Sequence, residues 1–184
     1  LTNAGAKVTS SETAIVASRG MGSGLKVFGG IRLNQYKATI NKPYLGGTAN
    51  PTFSVAGGYQ FNLDTGTSTG IAIGAAYEVP QILLRASIQY NSEIKHSNAK
   101  LNETLGGATT ASSPDDIIAP SSMIIKLRSA LSPRLLAFAN WRSSQYKKFK
   151  IVGPVHTAAG QGEIYNPESG TDYALGLALK VNDQ

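Results

Sequence analysis

The sequence contains no cysteine. Disulfide scaffolds, thiolate metal sites and cysteine nucleophiles are therefore excluded, and the absence suits a chain that crosses an oxidising compartment. No apolar run approaches the roughly 18 residues that a membrane-crossing helix needs. That excludes a helical membrane protein but not a membrane barrel, whose strands are apolar on one side only. Charge is sparse, at 15% of residues, with 17 Lys plus Arg against 11 Asp plus Glu. The net +6 is scattered, and Lys147, Lys148 and Lys150 form the only tight group. A nucleic-acid-binding stripe would be denser, so no nucleic-acid partner is expected. The two histidines, His96 and His156, stand at no metal-ligand spacing with Asp or Glu. Asp115-Asp116 in a Ser/Pro stretch reads as solvated loop charge. There is no nucleophile-elbow serine and no phosphate-cradling loop. Gly20-Met21-Gly22-Ser23-Gly24 leads into an alternating segment rather than a helix, so it reads as a tight turn. A barrel lipase would need a Ser/His pair, and neither histidine is placed for one. An enzyme is not expected, and no catalytic residue, cofactor or metal is assigned.

What remains is dominated by period two. In Gln81–His96 one parity reads Ile82, Leu84, Ala86, Ile88, Tyr90, Ser92, Ile94, and the other Leu83, Arg85, Ser87, Gln89, Asn91, Glu93, Lys95. This is a strand with one greasy and one polar face. The pattern recurs from Gly24 (Leu25, Val27, Gly29, Ile31, Leu33 against Lys26, Phe28, Gly30, Arg32, Asn34) and from Gly70 (Ile71, Ile73, Ala75, Tyr77, Val79 against Ala72, Gly74, Ala76, Glu78). It recurs again from Ser122 (Met123, Ile125, Leu127 against Ile124, Lys126, Arg128) and from Thr171 (Tyr173, Leu175, Leu177, Leu179, Val181 against Asp172, Ala174, Gly176, Ala178, Lys180). Arg134–Val152 is less tidy, because Leu136 and Phe138 fall on the polar parity, and Thr13–Arg19 is a shorter seventh candidate. No useful window shows helical spacing.

Connections alternate in length. Gly20–Gly24, Pro80-Gln81 and Ser132-Pro133 are short; Asn41–Thr69, Asn98–Pro120 and Gly153–Gly170 are long. The first long one is expected to hold an extra hairpin, Thr52–Leu63, turning at Asp64-Thr65-Gly66. Short turns on one rim and long loops on the other are the outer-membrane barrel arrangement. The 18 residues of Gln81–Asn98 would extend about 60 Å at about 3.3 Å per residue. Tilted by roughly 45° they would still rise about 40 Å, more than the hydrocarbon layer. In lipid such strands must close into a barrel, and an odd seven cannot do so in a single-chain bacterial barrel. The expected fold is therefore all-β: an antiparallel transmembrane β-barrel, incomplete over residues 1–184, with about seven spanning strands plus an extracellular hairpin. Tyr36, Tyr44, Tyr90, Trp141, Tyr146 and Tyr173 lie where an interfacial girdle would, and equally where ordinary aromatic packing at strand ends would put them.

The run Ala75-Ala76-Tyr77-Glu78-Val79-Pro80-Gln81-Ile82-Leu83-Leu84-Arg85, continuing through Tyr90-Asn91-Ser92-Glu93-Ile94-Lys95-His96, resembles a strand pair of the FadL/TodX family. Members of that family are outer-membrane transporters of long-chain fatty acids and other hydrophobic compounds. Ala119-Pro120-Ser121-Ser122-Met123 through Leu136, and Gly30-Ile31-Arg32 with Lys37–Pro43, are similar to other strands of the family, in consistent order from about Ala14 to Val181. The resemblance implies a fourteen-stranded barrel with an N-terminal hatch. This chain is then expected to carry about half of the barrel, with the hatch and the C-terminal strands outside it. It also implies passive passage of a hydrophobic small molecule, a Gram-negative outer-membrane location amid outer-membrane lipid and lipopolysaccharide, and a monomer when complete.

Candidate ligand contacts in the lumen are Arg32, Arg85, Glu93, Lys126 and Arg128 from the polar parities, while Lys37 lies where the family's ligand-facing basic residue would fall. A luminal cation can pair with a fatty-acid carboxylate, since an unpaired charge in an apolar pocket is costly. The same charges could instead pair with one another across strands. The competing reading is a soluble β-sandwich or surface adhesin that binds through the long loops.

Overall fold

The computed structural model describes residues 4–43, 58–112 and 116–180, with the side chains of 110–112 left aside. Alternating side chains drive nearly every element into strands. In chain order these are β1 (Gly5–Gly22), β2 (Leu25–Lys42), β3 (Tyr59–Asp64), β4 (Ser68–Val79), β5 (Leu84–Asn91), β6 (Ile94–His96), β7 (Lys100–Leu105), β8 (Ala108–Ser112), β9 (Ile117–Ala119), β10 (Ser121–Ser132), β11 (Leu135–Gln145) and β12 (Gly170–Leu179). One short helix, α1 (Pro154–Ala158), precedes β12.

Seven long antiparallel strands form an open half-barrel in the order β1, β2, β4, β5, β10, β11, β12. The directions alternate, so β1 and β12 run the same way and the sheet cannot close on itself with an antiparallel seam. Tight turns join the strands at one rim, with Gly22, Ser23 and Gly24 all at positive φ in the first of them. The long connections all emerge at the other rim.

The alternation sorts cleanly. Leu25, Val27, Ile31, Ile71, Ile73, Ile88, Tyr90, Met123, Ile125, Leu127, Tyr173, Leu175, Leu177 and Leu179 are all exposed on the outer face. Among the described residues no second layer covers them, which removes the sandwich, since a sandwich packs such rows against another sheet.

Several elements differ from the sequence expectation. β1 is a full strand of 18 residues from Gly5, not the shorter Thr13–Arg19 segment. Asp64-Thr65-Gly66 is no hairpin turn. β2 pairs with β4 over Leu25–Asn34 and with β3 over Lys37–Lys42, so β3 and β4 are one line of chain with a bulge between them. Thr65 plugs that bulge, donating its backbone N–H to the Tyr36 carbonyl (3.0 Å) while its Oγ1 accepts from the Tyr36 N–H (2.9 Å). Of the expected Thr52–Leu63 hairpin, residues 52–57 lie outside the described residues. The hairpin that does form is β7–β8, in the next long connection, turning at positive-φ Gly106 and Gly107.

The expected single strand Gln81–His96 is also broken. Pro80–Ile82 is a 3-10 turn closed by Leu83 in the left-handed region, and the ladder begins at Leu84. It lapses again at Ser92-Glu93, opposite Pro120, a residue with no N–H to offer. Beyond that point β6 and β9 pair with each other alone. The 18-residue β1 and β2 carry the length argument in its place.

At the long-loop rim the polarity of the wall reverses. On β2 the inner parity reads Lys26, Phe28, Gly30, Arg32, Asn34 and then Tyr36, Ala38, Ile40. The outer parity changes from Leu25, Val27, Ile31, Leu33 to Gln35, Lys37, Thr39, Asn41. The reason is what each face meets. Above Asn34 the inner face holds a core of Tyr36, Ala38, Phe61, Leu63, Leu101, Ile117, Phe149 and Ile151. Segment 146–165 folds back into the mouth to form it. Tyr36 and Tyr146 join that core rather than a girdle, Tyr90, Trp141 and Tyr173 keep the outer parity, and Tyr44 is outside the described residues.

Candidate functional site: a basic cleft on the inner wall

Register turns the polar parities into rows. Glu78, Arg85, Arg128, Phe138 and Gly176 are successive partners across β4, β5, β10, β11 and β12. The next row reads Lys26, Ala76, Ser87, Lys126, Asn140, Ala174, and the one after it Phe28, Gly74, Gln89, Ile124, Arg142, Asp172. Together they build a cleft of about 360 Å³ lined by Phe28, Arg85, Gln89, Lys126, Arg128 and Phe138, among others. A second hollow of about 370 Å³ shares Phe28, Arg85 and Gln89 and continues past Lys26 and Glu78.

The two phenylalanines are the reason β4 and β12 carry glycine on the inner face. Phe28 lies over its register partner Gly74, and Phe138 over Gly176. A Cβ on Gly176 would stand 2.6 Å from a second ring carbon of Phe138, and one on Gly74 would stand 2.5 Å from the Ile88 carbonyl oxygen. We expect Gly74→Val to displace the Phe28 ring and cost about 1–3 kcal/mol, read as a lowered urea midpoint; an unchanged midpoint would show that the ring is free to move aside.

The cleft is electrostatically unbalanced. Glu78 takes Lys26 Nζ at 2.6 Å and Arg85 Nη1 at 3.2 Å. Lys126 and Arg128 have no acidic partner within ion-pair distance among the described residues. Arg128 stands directly opposite Arg85 in the ladder, and like charges so placed repel. Four cations thus stand along the two hollows against one carboxylate, with Phe28 and Phe138 among the lining residues. An anionic head with an apolar body is the ligand such a surface complements.

Arg85, Lys126 and Arg128 therefore come together. The other three sequence candidates stand elsewhere. Arg32 is buried, with Nε and Nη2 donating to the Glu12 carboxylate (3.1 and 2.6 Å) and Nη1 to the Ser92 carbonyl (3.1 Å), so it ties β1 and β2 to the chain leaving β5. Glu93, at the break after β5, pairs with Lys148 Nζ at 2.9 Å. Lys37 is on the outer parity and pairs with Asp64 at 3.2 Å. The sequence reading left out Lys26, Phe28, Glu78 and Phe138 as site residues. Each stands on a polar parity, so the face was readable, but which of them share a row depends on strand order and register.

Two solved structures match this architecture across 97% of the chain. One is a FadL homologue of Pseudomonas aeruginosa, with a TM-score of 0.65 and 14% identity. The other is the ΔS2S3 mutant of TodX, a monoaromatic hydrocarbon channel, with a TM-score of 0.55 and 14% identity. The fold is half of a FadL-type barrel. The chain spans 48% and 52% of the two matched chains, about half the length of each. No family model and no curated protein matches the sequence. At this identity the likeness carries the FadL-type wall and its strand order, while the cleft is read from this chain's own side chains.

Proposed function

We propose that the chain forms half the wall of an outer-membrane barrel that lets hydrophobic molecules, above all long-chain carboxylic acids, diffuse inward along its inner face. The observation that carries this is the cleft: Lys126 and Arg128, unpaired and repelling Arg85, lie between Phe28 and Phe138 on a wall whose other face is greasy. In this reading the carboxylate sits between Lys126 and Arg128, and the alkyl chain runs over the rings. The two structural neighbours, one a FadL homologue and the other a hydrocarbon channel, support it. The long-loop rim faces outward, within the lipid and lipopolysaccharide of a Gram-negative outer membrane. No chemical step is required of the protein, and the complete barrel works as a monomer.

The test is binding of radiolabelled oleate and of an uncharged alkane to membrane vesicles holding the complete protein. Each charge-assisted contact contributes about 1.5–3 kcal/mol, so Lys126→Ala with Arg128→Ala should weaken oleate binding by 10-fold or more. Alkane binding should stay within about twofold. Equal oleate affinity in the double variant would sink the assignment.

A further inference from the structure

Segment 146–165 folds back onto the inner face at the long-loop rim, and a buried carboxylate holds α1 there. Glu103 on β7 is completely buried. It accepts hydrogen bonds from Tyr59 Oη on β3 (2.6 Å), the Val155 N–H (2.9 Å) and the His156 N–H (3.0 Å). That docks α1 against the inner wall. The His156 ring lies 5.8 Å from the Tyr59 ring and is itself buried.

Both ring nitrogens of His156 are committed. Nε2 is 2.7 Å from Lys42 Nζ on β2, and Nδ1 is 3.2 Å from the Gly162 carbonyl. An ammonium only donates, so Nε2 must accept; a carbonyl only accepts, so Nδ1 must carry the hydrogen. One tautomer satisfies both, and it is neutral. Adding a proton would set an N–H against the Lys42 ammonium in a buried site.

We propose that segment 149–165 is an acid-released plug of the barrel mouth, latched by the neutral imidazole of His156 between Lys42 and Gly162. Burial pushes the His156 pKa below the usual imidazole value; the Gly162 carbonyl and the Glu103 carboxylate act the other way, Lys42 acts with burial, and the net direction is down. The sign follows. The docked form disfavours the proton and the released form takes it normally, so docking is complete above about pH 6.5 and weakens as pH falls below it. The charged and titratable groups facing the ring are Lys42, Glu103 and Tyr59. The Tyr59 hydroxyl is held protonated by burial and by the Glu103 carboxylate. Within the plug, Lys150 and Glu163 pair with each other at 2.9 Å. The other histidine, His96, packs on β6 against Tyr36 and Asn34.

Release of the segment is read at the mouth itself, independently of any transport activity. Amide hydrogen exchange of the full chain is followed at pH 7.5 and 5.0, corrected for intrinsic rates. The amides of Val155, His156 and Thr157 should open more at pH 5.0, by up to about 30-fold, the ceiling set by 1.5 pH units below an ordinary imidazole pKa. In His156→Gln, whose amide oxygen can accept from Lys42 at every pH, this step should vanish. No step in the wild type, or an undiminished step in His156→Gln, overturns the proposal; the latter would assign the titration to His96. If His156→Gln leaves the segment unprotected at both pH values, Lys42→Met decides. A smaller step than wild type supports the latch, and an equal one overturns it.

Discussion

Ile125→Arg should cost about 2–4 kcal/mol of folding free energy in lipid vesicles, while Ile124→Arg, one residue away, should cost less than about 1 kcal/mol. Both residues lie on β10. Ile125 is exposed on the outer face, between Ile88 of β5 and Trp141 of β11. If that face meets hydrocarbon, a guanidinium there loses its hydration with nothing to replace it. Ile124 stands on the inner face, between Gln89 and Arg142, where a further cation remains in a polar groove. The difference between the two variants cancels what they share: a lost isoleucine, an added charge and the same strand. Urea titration of the protein refolded into vesicles measures it. Equal costs for the two positions would contradict a lipid-facing outer wall, and with it the outer-membrane reading.

Glu103→Ala should loosen the mouth by about 3–5 kcal/mol without disturbing the lower wall. The carboxylate is fully buried, and Tyr59 Oη and the N–H groups of Val155 and His156 all donate to it. Deleting it removes charge-assisted bonds and strands their donors away from water, at about 1–3 kcal/mol for each buried group left unpaired. Glu103→Gln should cost roughly half as much: the amide oxygen still accepts, but its NH₂ now faces a donor. Hydrogen exchange reads the effect locally, as a fall in the opening free energy of amides 151–159. The amides of β4, β5 and β10 should not change, because the plug touches the wall only near the rim. A fall spread over those strands as well would mean that the mouth and the wall open as one unit.

The legible part of the fold was the part governed by a local rule. Side chains alternate along any strand, so Ile88 and Arg85, or Ile125 and Lys126, declare opposite faces whatever the rest of the chain does. The sorting of connections by length was equally local. The errors arose where backbone hydrogen bonding depends on a neighbour. Asp64-Thr65-Gly66 carries the composition of a turn, yet β2 runs past it without interruption and makes it a bulge. Ile94 and His96 continue a greasy parity, yet both are buried, because past the lapse at Ser92-Glu93 they turn to the inner face, Ile94 over Gly70 and His96 against Tyr36 and Asn34. Lys37 is a luminal candidate only by the family resemblance. The β2 alternation sets its side chain on the face opposite Arg32, and Asp64 takes its charge.

By itself the sequence determined an all-β wall with one greasy and one polar face, about seven long strands, and basic residues on the polar side. Those follow from residue type and spacing of two, which no distant contact alters. Only the tertiary structure decided which polar residues meet. Strand order and register bring Arg85 opposite Arg128, with Phe28 and Phe138 seated over Gly74 and Gly176, and a fold-back from beyond residue 145 brings His156 to Lys42 and Glu103. Those contacts join positions 38 to 114 residues apart, and their geometry is fixed by hydrogen bonding between strands and by packing in the mouth, neither of which leaves a periodic trace along the chain.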